Sequence, residues 1–126
     1  MRLLLDTHVF LWWLGEDETL AIPATEAIAN PETLVHVSAA TIWEIAIKAN
    51  LGRLDVSGSD MAAEIAASGF IELPMTARHA QIAGWLPRHH DDPFDRMLIA
   101  QAQAEALTLV SRDSAFRSYD VFLLPA

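Results

Sequence analysis

Short apolar runs alternate along the chain with longer segments in which apolar residues recur at helical spacing. The short runs predict strands at Arg2–Leu5, Leu34–Val37, Phe70–Leu73, Thr108–Val110 and Val121–Leu124. The longer segments predict helices after Asp6, from Pro23 to Asn30, from Ala39 to Asn50, over 57–68, from Thr76 to Leu86, and from Pro93 to about Ala106. No linker or repeat interrupts this alternation. It therefore predicts one α/β domain over residues 1–126, with a mainly parallel sheet covered by helices on both faces.

The helix predicted from Pro93 begins in a cluster of polar residues. Asp92 suits the N-cap, Pro93 suits the first helical position, and Asp95 places a carboxylate near the positive end of the helix. Both aspartates can therefore serve only to begin the helix. Asp95 also shares a helical face with apolar residues, namely Leu98, Ile99, Ala102 and Ala106. Because this stripe should face the core, the sequence predicts that Asp95 points into a pocket or at a cation.

Four acidic residues reach the same edge of the predicted sheet, where open α/β folds form their sites. Asp6 ends the first strand, and Asp113 follows the fourth. Glu44 lies in the helix after the second strand, and Asp95 begins the helix that leads into the fourth. Each also has a structural interpretation: Asp6 and Asp113 can form turns or caps, and Glu44 can pair with Lys48 along a helix.

Clustered carboxylates need protonation or a bound cation. Two unit charges about 4 Å apart repel by about 4 kcal/mol at an effective dielectric constant near 20. Hard divalent ions such as Mg²⁺ or Mn²⁺ prefer oxygen ligands, and they activate water for attack on phosphodiesters. Metal-dependent phosphodiester hydrolysis is the reaction that this set of acids suits best.

Composition and charge limit the other classes of function. With 126 residues and 52% apolar side chains, the chain is long enough for one globular domain. The absence of cysteine excludes disulfides, zinc–thiolate sites and thiol nucleophiles, and it suits a reducing cytoplasm. The apolar run at the N-terminus is too short for a signal peptide or a membrane span, so we expect a cytoplasmic protein without membrane contact. The net charge of −9 argues against a broad basic surface for nucleic acid and suits a basic partner protein.

Four segments of the chain resemble the successive motifs of PIN-domain nucleases, and within that group the chain resembles the VapC toxins of prokaryotic toxin–antitoxin pairs. The segments are Leu4–His8, Ser38–Glu44, Asp92–Arg96 and Val110–Asp113. The resemblance implies a three-layer α/β/α sandwich with strand order 3-2-1-4-5 and an endoribonuclease that depends on Mg²⁺ or Mn²⁺. It implies that the catalytic, metal-binding acids are Asp6, Glu44, Asp95 and Asp113, with Ser111 in a supporting role. Asp92 supports the site separately, as the predicted cap of the helix that carries Asp95. It also implies a homodimer and a small cognate antitoxin that blocks the active site.

Some residues and functions are left open by the sequence. Arg96 and Arg112 are candidate phosphate contacts for RNA, but they suit a surface position or a carboxylate partner equally well. His89 and His90 are interpreted as a solvated loop rather than as a transition-metal site. The alternative functions are a non-catalytic binding module on the same fold, a metal-free ribonuclease that uses histidines, and a phosphohydrolase with Asp6 as nucleophile. The last usually needs a second Asp at the position that His8 occupies.

Overall fold

Strands and helices alternate along the chain as the hydrophobic pattern predicts. The computed structural model describes residues 1–126. The strands are β1 Arg2–Leu5, β2 Leu34–Ser38, β3 Ile71–Leu73, β4 Thr108–Ser111 and β5 Leu123–Pro125. The helices are α1 Thr7–Leu14, α2 Ile22–Ala29, α3 Ala39–Asn50, α4 Met61–Ala67, α5 Ala77–Trp85 and α6 Pro93–Glu105. None of these helices has both the length and the apolar character needed to cross a membrane.

All neighbouring strands pair in parallel, in the order β3-β2-β1-β4-β5. Side chains of the central strand β1 alternate between the faces of the sheet. Leu3 and Leu5 pack in one buried cluster with residues of α1 to α4, and Leu4 packs in a second cluster with residues of α5 and α6. Helices therefore cover both faces. The three-layer α/β/α sandwich and the strand order 3-2-1-4-5 are confirmed.

The helix boundaries differ from the predicted ones where glycine or a left-handed residue intervenes. The helix predicted over 57–68 begins only at Met61, because Gly58 has a φ of +71° in the preceding turn. Asp60 then caps α4 by accepting a hydrogen bond from Ala63 N at 3.1 Å. At the end of α6, Ala106 is exposed and left-handed with a φ of +54°, so it does not belong to the apolar stripe. The stripe residues Leu98, Ile99 and Ala102 are buried as predicted.

The adjacent strands β1 and β4 bring the predicted site residues to one edge of the sheet. Asp6 follows β1 directly and donates its backbone N–H to Val110 O in β4 at 3.1 Å. Ser111 is the last residue of β4, and Asp113 follows it as the N-cap of a short 3-10 helix, Ser114–Ser118, which the apolar pattern does not predict. Parallel pairing thus places the ends of both strands side by side.

Candidate metal centre

Asp6 is a buried carboxylate fixed by two hydrogen bonds. Its Oδ1 accepts from Val9 N at 2.8 Å, which makes Asp6 the N-cap of α1. Its Oδ2 accepts from the hydroxyl of Ser111 at 2.5 Å. Burial raises the pKa of Asp6, although the hydrogen bonds from Ser111 and Val9 oppose this rise. Ser111 therefore lies beside Asp6, and its supporting role stays a prediction.

Asp113 shares the electrostatic environment of two other predicted acids. Its backbone N–H donates to the Ser111 hydroxyl at 3.0 Å, so one serine joins Asp6 to the segment that carries Asp113. The negative charge of Asp113 contributes to the raised pKa of Asp6 and also to that of Asp95. A cavity of about 240 Å³ opens beside this group, lined by Asp6, His8, Trp12, Arg112 and Asp113.

Asp95 is a partly buried carboxylate in the first turn of α6. Its pKa is raised to about 7, first by burial and then by the charge of Asp92, while a hydrogen bond from His90 opposes the rise. Asp92 itself accepts from Phe94 N at 2.9 Å and from Asp95 N at 3.1 Å. The N-cap predicted at Asp92 is thus present. It fixes the first turn of α6, from which the side chain of Asp95 projects.

Glu44 is buried on α3, but it differs from the three aspartates in having a cationic partner. Its Oε2 pairs with Lys48 Nζ at 2.6 Å, one helical turn later. Its Oε1 accepts from the hydroxyl of Thr7 at 2.6 Å. The helical ion pair that the sequence allows is therefore formed, although the carboxylate is only 4% exposed. Thr7 directly follows Asp6, so this hydrogen bond joins Glu44 to the first strand end.

The chemistry of the donors, more than their spacing, fits a divalent cation. In this conformation, no three His, Asp or Glu side chains are close enough to bind a single ion. Yet Asp6 and Asp95 have raised pKa values, which a bound cation would lower because it favours the charged carboxylate. A set of carboxylate oxygens also suits Mg²⁺ or Mn²⁺. Asp6, Asp95 and Asp113 are the residues that fit this role best.

The two predicted phosphate contacts have different surroundings. The Arg96 guanidinium donates to four backbone carbonyls, those of Ala83, Leu86, Pro87 and His90, at 2.9 to 3.4 Å. These contacts engage the donors of Arg96 at the end of α5 and in the following loop, and its role as a phosphate contact stays a prediction. Arg112 instead lies at the cavity beside Asp6, with its guanidinium 4.1 Å from the ring centre of Trp12. It also donates to Thr19 O at 2.8 Å.

His90 is the residue of this site that the sequence interpretation missed. Its Nε2 lies 3.3 Å from Asp95 Oδ2, and its Nδ1 lies 2.7 Å from the hydroxyl of Tyr119. His90 is therefore half-buried and hydrogen-bonded rather than solvated, whereas His89, Asp91 and Asp92 of the same loop are exposed, as the sequence predicts. Its position five residues before Asp95, in the loop that leads to the helix N-terminus, is the only local signal for this contact. For Tyr119, which is distant in sequence, there is no such signal.

Comparison with known proteins agrees with this fold. The family model described as PIN domain matches residues 3–121. Ribonuclease VapC22 of Mycobacterium tuberculosis is 30% identical to this chain, over 92% of this chain and 90% of that protein. VapBC2 from Rickettsia felis, solved bound to a DNA fragment from its promoter, has a TM-score of 0.75 at 16% identity, covering 99% of this chain and 98% of that one. VapBC-5 from Mycobacterium tuberculosis, of the VapBC family of toxin-antitoxin systems, has a TM-score of 0.60 at 20% identity, covering 98% and 96%. At these identities the structural likeness supports the fold alone.

Proposed function

The chain belongs to the PIN-domain family, and we propose that it is a metal-dependent endoribonuclease that acts as the toxin of a toxin–antitoxin pair. One observation carries the metal dependence: Asp6, Asp95 and Asp113 share one electrostatic environment at the carboxyl edge of the sheet, and burial raises the pKa of two of them. Ribonuclease activity is supported by the relationship to a VapC ribonuclease along nearly the whole chain.

The residues of the site have distinct roles in this proposal. Asp6, Asp95 and Asp113 hold Mg²⁺ or Mn²⁺, and Glu44 is the fourth acid beside them. The ion, when bound, orients and acidifies a water and stabilises charge on a phosphoryl oxygen. Ser111 holds Oδ2 of Asp6 in place, and Asp92 fixes the first turn of α6 from which Asp95 projects. Hydrolysis at the phosphodiester leaves a 5′-phosphate and a 3′-hydroxyl.

Arg112 is the basic residue placed best to contact the RNA backbone. It lines the same cavity as Asp6 and Asp113, and its guanidinium lies over Trp12. One arginine and a metal ion supply local positive charge where the chain as a whole carries −9. The RNA is therefore expected to bind at this cavity rather than across a broad basic surface.

A small antitoxin and a second copy of the chain are the proposed protein partners. Two of the similar solved structures are VapBC complexes by name, and one of them is described as belonging to toxin-antitoxin systems. The acidic edge of this sheet suits a basic inhibitory segment by charge complementarity. We place the pair in the cytoplasm, where a toxin of this type meets its RNA.

Cleavage of total cellular RNA tests the proposed function. We expect the protein to cut RNA with Mg²⁺ or Mn²⁺ and not with EDTA, and end-mapping should show 5′-phosphate ends. Asp6→Asn should reduce cleavage by a factor of about 100 or more, as expected when a metal ligand is lost. Asp120→Asn is the matched control, because Asp120 is an exposed acid outside the site. Cleavage that persists in EDTA and leaves 2′,3′-cyclic phosphates would refute the mechanism.

The pairing of Glu44 with Lys48 favours one alternative, a PIN-fold module that binds a partner without catalysis. A cation is already present at this carboxylate, so Glu44 does not require a metal. Under this alternative the protein cuts no RNA with any divalent metal but still binds a partner protein tightly. The cleavage assay above, repeated across Mg²⁺ and Mn²⁺ concentrations, separates the two functions.

A further inference from the structure

We propose that His90 is a positioning residue for Asp95 and that the hydroxyl of Tyr119 fixes which nitrogen of His90 carries the proton. The contacts of His90 carry this inference, whereas its consequence for cleavage rests on the proposed function. His90 lies in the loop between α5 and α6, and its side chain is largely buried. Both ring nitrogens have partners: Nδ1 faces Tyr119, and Nε2 faces Asp95.

The hydrogen bonds of Tyr119 determine the direction of its own proton. A tyrosine hydroxyl has one proton to donate and accepts through its oxygen. The oxygen of Tyr119 accepts from the backbone N–H of His90 at 3.2 Å and from Nη1 of Arg96 at 3.3 Å. These two donors fill its acceptor capacity, so the hydroxyl proton has to point elsewhere. The nearest acceptor is Nδ1 of His90 at 2.7 Å, compared with His90 O at 3.5 Å.

The tautomer of His90 follows from this direction. When Nδ1 accepts the proton of Tyr119, the proton of the neutral imidazole lies on Nε2. Nε2–H then donates to Oδ2 of Asp95, at a distance of 3.3 Å. No hydrogen bond within the protein engages Oδ1 of Asp95, so the other oxygen stays available to a ligand. His90 thereby determines which carboxylate oxygen faces the site.

The side chains behind His90 are themselves held in place. Tyr119 is buried, and the ring of His89 packs against it edge-on with the ring centres 4.9 Å apart. Arg96, which donates to Tyr119, is fixed by the carbonyls at the end of α5. A continuous set of hydrogen bonds therefore runs from Arg96 through Tyr119 and His90 to Asp95. Partners of this kind orient metal-binding side chains, and their loss typically weakens metal affinity or activity about 10- to 100-fold.

Nitrogen NMR on the metal-free protein tests the tautomer without any activity. Protonated and unprotonated imidazole nitrogens have well separated ¹⁵N chemical shifts, so a spectrum recorded above pH 8 identifies the proton-bearing nitrogen. We expect His90 to be protonated on Nε2 in the wild type. Because the Asp95 carboxylate also favours a proton on Nε2, the effect of Tyr119 is measured in the Asp95→Ala protein. We expect His90 to stay protonated on Nε2 in Asp95→Ala and to become a mixture of both tautomers in Tyr119→Phe/Asp95→Ala, where the ring still packs but the hydroxyl is lost. Protonation on Nδ1 in the wild type, or the same tautomer in Asp95→Ala with and without the Tyr119 hydroxyl, would overturn the proposal.

Metal binding and kinetics test the positioning role. We expect His90→Ala to weaken Mn²⁺ binding, measured by electron paramagnetic resonance, about 10-fold or more, and to lower kcat while KM for RNA is unchanged. His90→Gln should recover part of the loss, because its amide can donate to Asp95. Gln81→Ala is the control, since Gln81 is exposed on α5 and takes no part in the hydrogen bonds from Arg96 to Asp95.

The outcomes separate this proposal from the proposed function. Mn²⁺ binding by His90→Ala at wild-type affinity would refute the positioning role, provided that circular dichroism shows a folded protein. A wild type that cuts no RNA with any metal would refute the proposed function. The tautomer experiment would still decide whether Tyr119 controls His90.

Discussion

Asp95 experiences two opposing electrostatic influences. At the first turn of a helix, a negative charge is typically stabilised by about 0.3–1 kcal/mol. Burial and the neighbouring charges of Asp92 and Asp113 oppose this stabilisation and outweigh it, because the pKa of Asp95 rises to about 7. Asp92 already provides the cap, so beginning the helix does not require a second, partly buried carboxylate at Asp95. A metal-binding role would explain this position, because a bound cation stabilises the charged form of Asp95 that burial and the neighbouring carboxylates disfavour.

The stability of the metal-free protein should therefore depend on pH through Asp95. Its pKa is about 7 in the folded state and near 3.8 when unfolded. Between these values the folded protein keeps the proton and the unfolded chain releases it, so raising the pH favours unfolding. We expect the Tm in EDTA to fall from pH 5 to pH 7.5, and to fall less in Asp95→Asn.

Comparing the pH dependence of Tm in wild type and in Asp95→Asn isolates the effect of Asp95. Asp6 also has a raised pKa, and it lowers the Tm with rising pH in both proteins. Saturating Mg²⁺ should reduce the dependence of the wild type, because a bound cation lowers the pKa of its ligands. Equal slopes of Tm against pH in wild type and Asp95→Asn would contradict the raised pKa of Asp95.

At the level of elements, Arg96 holds the end of α5 against the start of α6. The last carbonyls of a helix have no partners within it. Arg96, in the first turn of α6, donates to Ala83 O at 3.1 Å and to Leu86 O at 3.0 Å. One side chain thus satisfies the C-terminus of α5 and fixes the loop that carries His90. The position of Asp95 depends on this junction between the two helices.

Removal of this arginine should destabilise the fold. We expect Arg96→Met to lower the free energy of unfolding by about 2 kcal/mol, because charge-assisted hydrogen bonds to several carbonyls are lost. Urea denaturation followed by circular dichroism measures this change. Arg117→Met is the control, since Arg117 is exposed, and its effect should stay within about 0.5 kcal/mol. An Arg96→Met protein as stable as the wild type but with a raised KM for RNA would instead support the predicted phosphate contact.

Local signals explain why the elements and caps can be predicted from the sequence. Strand runs, helical periodicity and the cap at Asp92 each depend on residues within a few positions of one another. Parallel topology then requires the ends of β1 and β4 to be neighbours, which places Asp6 beside Ser111. At the end of α6, helix propensity gives the wrong boundary because of the backbone conformation of one residue. Ala106 has a high helix propensity, yet it adopts the left-handed conformation that ends α6.

The contacts around His90 and Arg96 cannot be predicted from the sequence, because they depend on the path of a loop. Residues 86–92 fold back over the start of α6, so that His90 meets Tyr119, 29 positions later. No periodicity or cap encodes this path. The polar composition of the segment suggests a solvated loop. Hydrogen bonds with Tyr119 and Arg96 instead hold His90 beside Asp95. By contrast, the pair of Glu44 and Lys48 has a local signal, because the two residues are four positions apart on a helix.

At the scale of the whole molecule, the most exposed aromatic residue lies near an apolar cavity. Trp85 is 86% exposed at the end of α5. The cavity, of about 310 Å³, is lined by the preceding residue Gly84 and by Trp43 and Phe94. Trp43 is itself 57% exposed. By contrast, the aromatic residues Trp12 and Trp13 of α1 pack against the core of their own subunit. Because exposed apolar patches mark interaction surfaces, the face of α3 and α5 is a better candidate than α1 for the proposed homodimer contact.

Trp85→Glu tests this face as the dimer contact. A buried tryptophan at an interface typically contributes about 2 kcal/mol or more, so we expect the dimer to dissociate with a Kd raised about 30-fold. Light scattering coupled to size-exclusion chromatography over a range of concentrations measures the change. Phe122→Glu is the matched control, because Phe122 is 76% exposed but lines a different cavity, with α6 and the segment before β5. If Phe122→Glu dissociates the dimer and Trp85→Glu does not, the contact lies at the opposite edge of the sheet, next to β5.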